Sequence, residues 1–232
     1  TRPYVREVGA DPGKLRIAFT SKTPNGAPVE AESLRVLQET ARLCAELGHT
    51  VEEVDPEIDG AAVVPTFLTL AAANTVVNLG SHPTAGRPAR EDEVETVTWA
   101  TGKLGEKVTG AEYVRATQTA HRLGRQMAAF HLRWDVLLTP GLATLPPRLC
   151  WIDMMLDDVQ EYWRRVFHMS PFTVWFNLSG QPAMMLPLGV SDALPVAVQL
   201  VGRFGDEATM FRLASQLEKA RPWFDRLPPI AR

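Results

Sequence analysis

Residues Phe176–Gly189 read FNLSGQPAMMLPLG. The stretch is apolar, yet Gly breaks it twice and Pro breaks it twice. Within it, Ala183-Met184-Met185-Leu186 is a short apolar run bounded by turn residues, the pattern of a buried strand. Gly180-Gln181-Pro182 is turn chemistry, because Gly supplies a positive φ and Pro cannot continue a helix. The stretch predicts a short helix that ends before Gly180, then a turn, then a strand over 183–188. A second strand, Val196–Val201, follows the turn residues GVSDALP. Two adjacent strands so joined form an antiparallel hairpin.

Working outward, Leu15–Thr20 (LRIAFT) reads as a strand, and Val29–Leu47 as a helix. In that helix Leu34, Leu37, Ala41 and Cys44 recur at helical spacing, and Gly48 stops it. Thr50–Asp55 is a second strand, so the three elements form a βαβ unit with a parallel pair. Residues 60–80 carry no charge. Pro65, Asn74 and Asn78 interrupt them, and Val63–Leu79 barely reaches the ~20 residues that span a bilayer. We read a core or pocket-covering helix, and no membrane partner. Thr109 and Glu112 have capping-box spacing and open a long helix. Tyr113, Ala116, Ala120, Leu123, Met127 and Phe130 form its apolar stripe. Asp135–Pro140 is a third buried strand, and Asp157–Phe167 a helix. Ser170-Pro171 reads as an N-cap followed by Pro at the first helical position. Asp206 caps a last helix with Met210, Leu213, Ala214 and Leu217 on its inner face. The fold class is α/β, a mixed β-sheet flanked by helices. Residues 1–232 read as one α/β unit, with 1–13 a linker-like N-terminal segment.

Composition excludes several functions. The 232 residues carry a net charge of −3, which calls for neither nucleic acid nor anionic lipid. Cys44 and Cys150 read as reduced, buried thiols of a cytoplasmic protein. The histidines His49, His82, His121, His131 and His168 fall in no metal-ligand pattern, so no metal and no cofactor is expected. No G-x-S-x-G elbow occurs. Gly202-Arg203-Phe204-Gly205-Asp206 follows a strand but lacks the Lys-Ser/Thr pair of a phosphate loop. Read from its residues alone, the chain is a globular α/β protein without a self-contained active site.

The quoted stretch, continued by LPVAVQLVGRFGDEATMFRLASQLEKARPW, resembles the C-terminal part of amidase signature hydrolases. The resemblance rests on Phe176, Asn177, Gly180, Pro182, Ala183, Pro187 and Gly189 in order. It continues through Leu194, Pro195, Gln199, Gly202 and Glu207. WDVLLTP and DPGKLRIAFT resemble earlier strands of the same family, and the wording is most similar to the subgroup with 6-aminohexanoate cyclic oligomer hydrolases. The resemblance implies the C-terminal part of the amidase signature fold. It also implies hydrolysis of a small-molecule carboxylic amide by a Ser nucleophile, a bridging cis-Ser and a Lys base. No Gly-Gly-Ser-Ser-Gly-Gly-like run occurs here, so no catalytic residue carries over.

What carries over is pocket wall. Substrate-binding candidates are Ser170, Asn177 and Trp151, and Gly180 and Pro182 shape the turn. Asn177 is expected to hold backbone around that turn. In the amidotransferase branch of the family an acid seven residues before the motif Asn grips an ammonium group. Here that position is Ser170, which implies a neutral or apolar amide. The chain lacks a first Met, and the expectation is a missing N-terminal half that bears the catalytic set. A free sheet edge would then invite that half, or a second copy in a homo-oligomer. Two rival readings are a non-catalytic module that binds an amide ligand or a partner, and a hydrolase that uses Ser170 or Ser179 with His168.

Overall fold

The computed structural model describes residues 3–81 and 86–226. His82 and the tail from 227 onward lie outside the described residues. Five strands make one sheet: β1 (Arg16–Phe19), β2 (Thr50–Glu53), β3 (Val136–Pro140), β4 (Ala183–Ser191) and β5 (Leu194–Gly202). Their order is β2-β1-β3-β5-β4. β1 runs parallel to β2 and β3, whereas β5 runs antiparallel to β3 and β4. The mixed sheet read from the sequence is therefore present.

Seven α-helices among the described residues pack on the sheet or on each other. They are α1 (Ala31–Glu46), α2 (Val63–Gly80), α3 (Thr96–Gly105), α4 (Gly110–Phe130), α5 (Val159–Met169), α6 (Thr173–Ser179) and α7 (Glu207–Ala220). Side chains along a strand alternate between faces, and this sorts the core into two layers. Ile17, Val136, Leu138, Val198 and Leu200 meet Val36 and Leu37 of α1 and Leu213 and Leu217 of α7. Ala18, Leu137 and Val201 point the other way, onto Leu123 and Met127 of α4 and Val174, Trp175 and Phe176 of α6. All five residues of β3 are buried.

Several local expectations hold. The Thr109–Glu112 capping box opens α4, and Asp206 caps α7 through the Thr209 N–H. The hairpin between β4 and β5 turns at Asp192 and Ala193, both at positive φ, as a two-residue turn requires. The stretch Gly60–Gly80 is long and apolar enough to cross a membrane by length and composition. In the structure it packs on α3, α4 and α6 with Val63, Thr66 and Ala72 buried and most of its other residues not, so it lies over that face rather than in the core.

Other expectations are corrected. α5 runs on to Met169, and Ser170 is its C-cap, so Ser170 does not open α6. The Pro171 ring and its missing N–H end α5 there, and α6 starts only after Phe172. Cys44 is buried, and burial pushes its thiol up to about 12. Cys150 is exposed rather than buried, on a loop and at φ 67°. Within the segment read as linker-like, Tyr4 stacks on Phe211 at 5.4 Å, and Arg212 donates to buried Glu7 at 2.6 Å.

The sheet has a charged foot. Asp135, just before β3, accepts from the Arg16 N–H at 2.7 Å and from the Arg16 guanidinium at 3.2 Å. It also accepts from Arg203, just after β5. Burial on its own would raise the Asp135 pKa, but the hydrogen bonds from Arg16 and Arg203 outweigh it and hold the carboxyl below its ordinary value. A depressed carboxyl contributes stability above its unfolded pKa and loses it as pH falls through the folded one. Asp135→Asn is therefore expected to cost roughly 1–3 kcal/mol at neutral pH. The gap to the parent should close as pH drops below about 4, measured by urea unfolding across that range.

Candidate functional site

In open α/β sheets, crevices form beyond the carboxyl ends of parallel strands whose connections leave in opposite directions. Here the loop after β1 leads to α1, and the loop after β3 leads to α5. The two loops meet. Glu30 N–H donates to the Ala143 carbonyl at 2.7 Å, and Leu145 N–H donates to the Glu30 carboxylate at 2.9 Å. The C-terminal end of α5 docks on them: Ala143 N–H donates to the Met169 carbonyl at 2.8 Å. Asn25 Nδ2 donates to the Phe167 carbonyl at 3.1 Å.

This docking brings Ser170 and Trp151 to one end of α5. The Trp151 ring sits 6.4 Å from the His168 ring and 5.8 Å from the Arg165 guanidinium. Arg165 also donates to the Trp151 carbonyl at 3.0 Å. Both residues are partly buried. The Ser170 hydroxyl donates its one proton to the Val166 carbonyl at 2.9 Å. Toward a ligand it is thus left as an acceptor. It also makes no hydrogen bond to His168, so the reading of a Ser170–His168 pair finds no geometric support.

A pocket of about 210 Å³ opens beside these loops, past the ends of β1 and β2. Thr20, Lys22, Asp55 and Trp175 give it its polar character. Thr20 Oγ1 donates to Asp55 at 2.5 Å, and the Lys22 N–H donates to Thr20 Oγ1 at 3.1 Å. The Lys22 ammonium lies 3.7 Å from Asp55, so it faces a carboxylate rather than a serine hydroxyl. The described residues that line the pocket include no Ser, Cys or His. Trp175 is 2% exposed, and its Nε1 has no hydrogen-bond partner among the described residues. Sequence reasoning missed Thr20 and Asp55 as site residues. The available signal was their position at the carboxyl ends of adjacent parallel strands.

The other predicted residues lie at the far end of α6. Its seven residues span about 10 Å at 1.5 Å per residue, so the candidates form two groups. Gly180 closes α6 in the left-handed conformation, φ 79°, and its N–H donates to the Phe176 carbonyl at 2.9 Å. The Pro182 carbonyl accepts from Gly202 N–H at 2.9 Å and aligns the start of β4 with the end of β5. Asn177 is exposed and makes no side-chain hydrogen bond among the described residues. The expectation that Asn177 holds the turn is therefore corrected: the backbone at Gly180 and Pro182 holds it. Ser179 Oγ and Gln181 Oε1 are buried without hydrogen-bond partners among the described residues. Ser179 is the last residue of α6 and Gln181 lies in the turn that feeds β4, an edge strand on which Ala183 and Met185 are exposed.

A three-layer mixed sheet with this turn between α6 and β4 defines a class, and comparison with known proteins gives the class its family. The amidase family matches residues 1–211, and the chain belongs to that family. The chain is 31% identical, over 244 residues, to a 6-aminohexanoate-cyclic-dimer hydrolase from Pseudomonas sp.. That alignment covers 99% of this chain and 49% of the relative. The structure of a 6-aminohexanoate cyclic dimer hydrolase superimposes with a TM-score of 0.84 at 26% identity, over 100% of this chain and 50% of that one. A bacterial aryl acylamidase shares the fold at a TM-score of 0.78 and 19% identity, over 97% of this chain and 47% of that one. The chain thus spans about half the length of the curated relatives it matches.

Gly180 is the position where backbone geometry alone fixes the motif turn. Gly180→Ala forces a Cβ into the left-handed region and is expected to cost about 1–2 kcal/mol. A new Cβ would meet only the Phe204 ring, at 3.5 Å, so the cost is conformational. The urea midpoint should fall with an unchanged m-value.

Proposed function

We propose that residues 1–232 form one α/β unit, the C-terminal portion of an amidase domain. In this reading the chain supplies pocket wall, and the Ser, cis-Ser and Lys come from a segment that precedes it. The bridging Ser relays the nucleophile's proton to a neutral Lys, and the nucleophile attacks the amide carbonyl. Backbone N–H groups hold the oxyanion, the amine leaves with a proton, and water releases the acid from the acyl-enzyme. No cofactor takes part.

The observation that carries this reading is coverage. The alignment takes in 99% of the chain but 49% of the 6-aminohexanoate-cyclic-dimer hydrolase. The edge of the sheet at β4 supports it, since the end of α6 and the turn before β4 hold exposed Asn177 and the buried Ser179 Oγ and Gln181 Oε1, which have no hydrogen-bond partner among the described residues. A preceding half, or a second copy, would cover that edge. The substrate we assign is a neutral amide. Position 170 offers a hydroxyl acceptor where an ammonium-binding branch has an acid, and a neutral N–H is a suitable donor to it.

A fluorophosphonate serine probe, read by intact mass, tests the proposal. The folded chain is expected to stay unlabelled and to hydrolyse no amide. Joined to its upstream segment, it should take up a single adduct. A mass shift in the chain alone, abolished by unfolding, would place an activated serine among these residues and overturn the reading.

A further inference from the structure

On the face of the sheet that carries α4 and α6, the helices α2, α3 and α5 do not close on one another. They leave a cavity of about 520 Å³. That volume falls inside the ~300–1,000 Å³ typical of small-molecule sites. Val64, Leu68 and Ala72 of α2, Leu104 of α3 and Phe167 of α5 make most of the wall.

Thr69, Gln160 and Arg164 also line the cavity, and two further polar atoms in its wall are buried. Thr101 Oγ1 and Trp163 Nε1 are both buried, both on residues that line the cavity, and neither has a hydrogen-bond partner among the described residues. Thr101 is 6% exposed. Its hydroxyl does not take the usual helical option of a carbonyl one turn back, as Thr40 does with Val36. Buried polar groups are normally satisfied, so two bare ones on a single cavity are a feature that asks for a cause. An indole N–H only donates, and a Thr hydroxyl can donate. The pair therefore suits a ligand that presents an acceptor.

Charge narrows the ligand further. Arg164 is the charged residue among the described lining residues. Its guanidinium is held by Glu161 through contacts of 2.5 and 2.8 Å, so the wall offers no free cation to a carboxylate. Trp163 is fixed in turn by a stack on Phe167 at 5.6 Å and an edge contact with Phe67 at 5.8 Å. Its N–H is thus presented by a rigid ring.

We propose that this cavity binds an uncharged molecule with a short aliphatic body and a carbonyl head, of which a simple alkyl carboxamide is the probe. The body packs on Leu68, Ala72 and Phe167, and the carbonyl oxygen, with two lone pairs, accepts from both Trp163 Nε1 and Thr101 Oγ1. This binding does not rest on the catalytic reading above, because it requires only these helices.

Titration calorimetry of the 232-residue chain with hexanamide, hexanoate and hexylammonium tests it. Hexanamide is expected to bind saturably, with a Kd at least about tenfold below that of hexylammonium, which cannot accept. Trp163→Phe keeps the ring stack and Thr101→Val keeps the shape. Each should raise the hexanamide Kd roughly two- to tenfold. Neither should lower the Tm of the free chain, since each removes a bare buried polar atom. The proposal is overturned by equal binding of the amine, by no saturable binding to the folded chain, or by folded variants with an unchanged Kd. Tighter binding of hexanoate, or concentration-dependent self-association abolished by Leu104→Arg, would also overturn it. The first would assign the cavity to anions and the second to another copy of the chain.

Discussion

The Asp135 carboxylate accepts from Arg16 and Arg203, and through it the parallel and antiparallel parts of the sheet share one foot. Arg16 begins β1, and Arg203 follows β5. β3 rises between them with all five residues buried, which leaves its backbone no choice but to pair on both sides. A slip of one residue would turn Val136 and Leu138 onto the face of Leu137 and mix the two cores. The charged foot and the alternating core thus act on the same register.

The crevice that holds Thr20 and Asp55 lies at the other end of this strand. The loops after β1 and β3 are tied to each other through Glu30 and to the end of α5 through Met169 and Phe167. That set of hydrogen bonds holds Ser170 and Trp151 together at one end of α5. The sheet edge at β4 is the other exposed consequence. That strand shows Ala183 and Met185 to solvent and lies beside buried polar atoms that have no hydrogen-bond partner among the described residues, so it is a free edge of the sheet.

Much of this was legible in the residues because local rules determine it. The capping box at Thr109, the positive φ at Gly180 and the helical stripe of Leu123 and Met127 each act within a turn or two of chain. Ser170 shows where that legibility stops. Its neighbour Pro171 could open one helix or end another, and both are chemically sound. In the structure α5 runs through Phe167, which packs edge-on against Phe67 at 5.8 Å, and Pro171 ends it with Ser170 as C-cap. Asn177 shows the same limit. A polar residue in a turn motif suggests a structural bond, yet the left-handed Gly180 closes the helix without one.

By itself the sequence determined the α/β class, the parallel and hairpin strand pairs, the family and the absence of a Gly/Ser-rich nucleophile run, because each depends on residues close together in the chain. Only the tertiary structure decided that Thr20 meets Asp55 and that Asp135 gathers two arginines. Only it decided that Thr101 and Trp163 line one cavity. These partners stand tens of residues apart, and what brings them together is the stacking of helices on a sheet whose strand order is not the order of the chain.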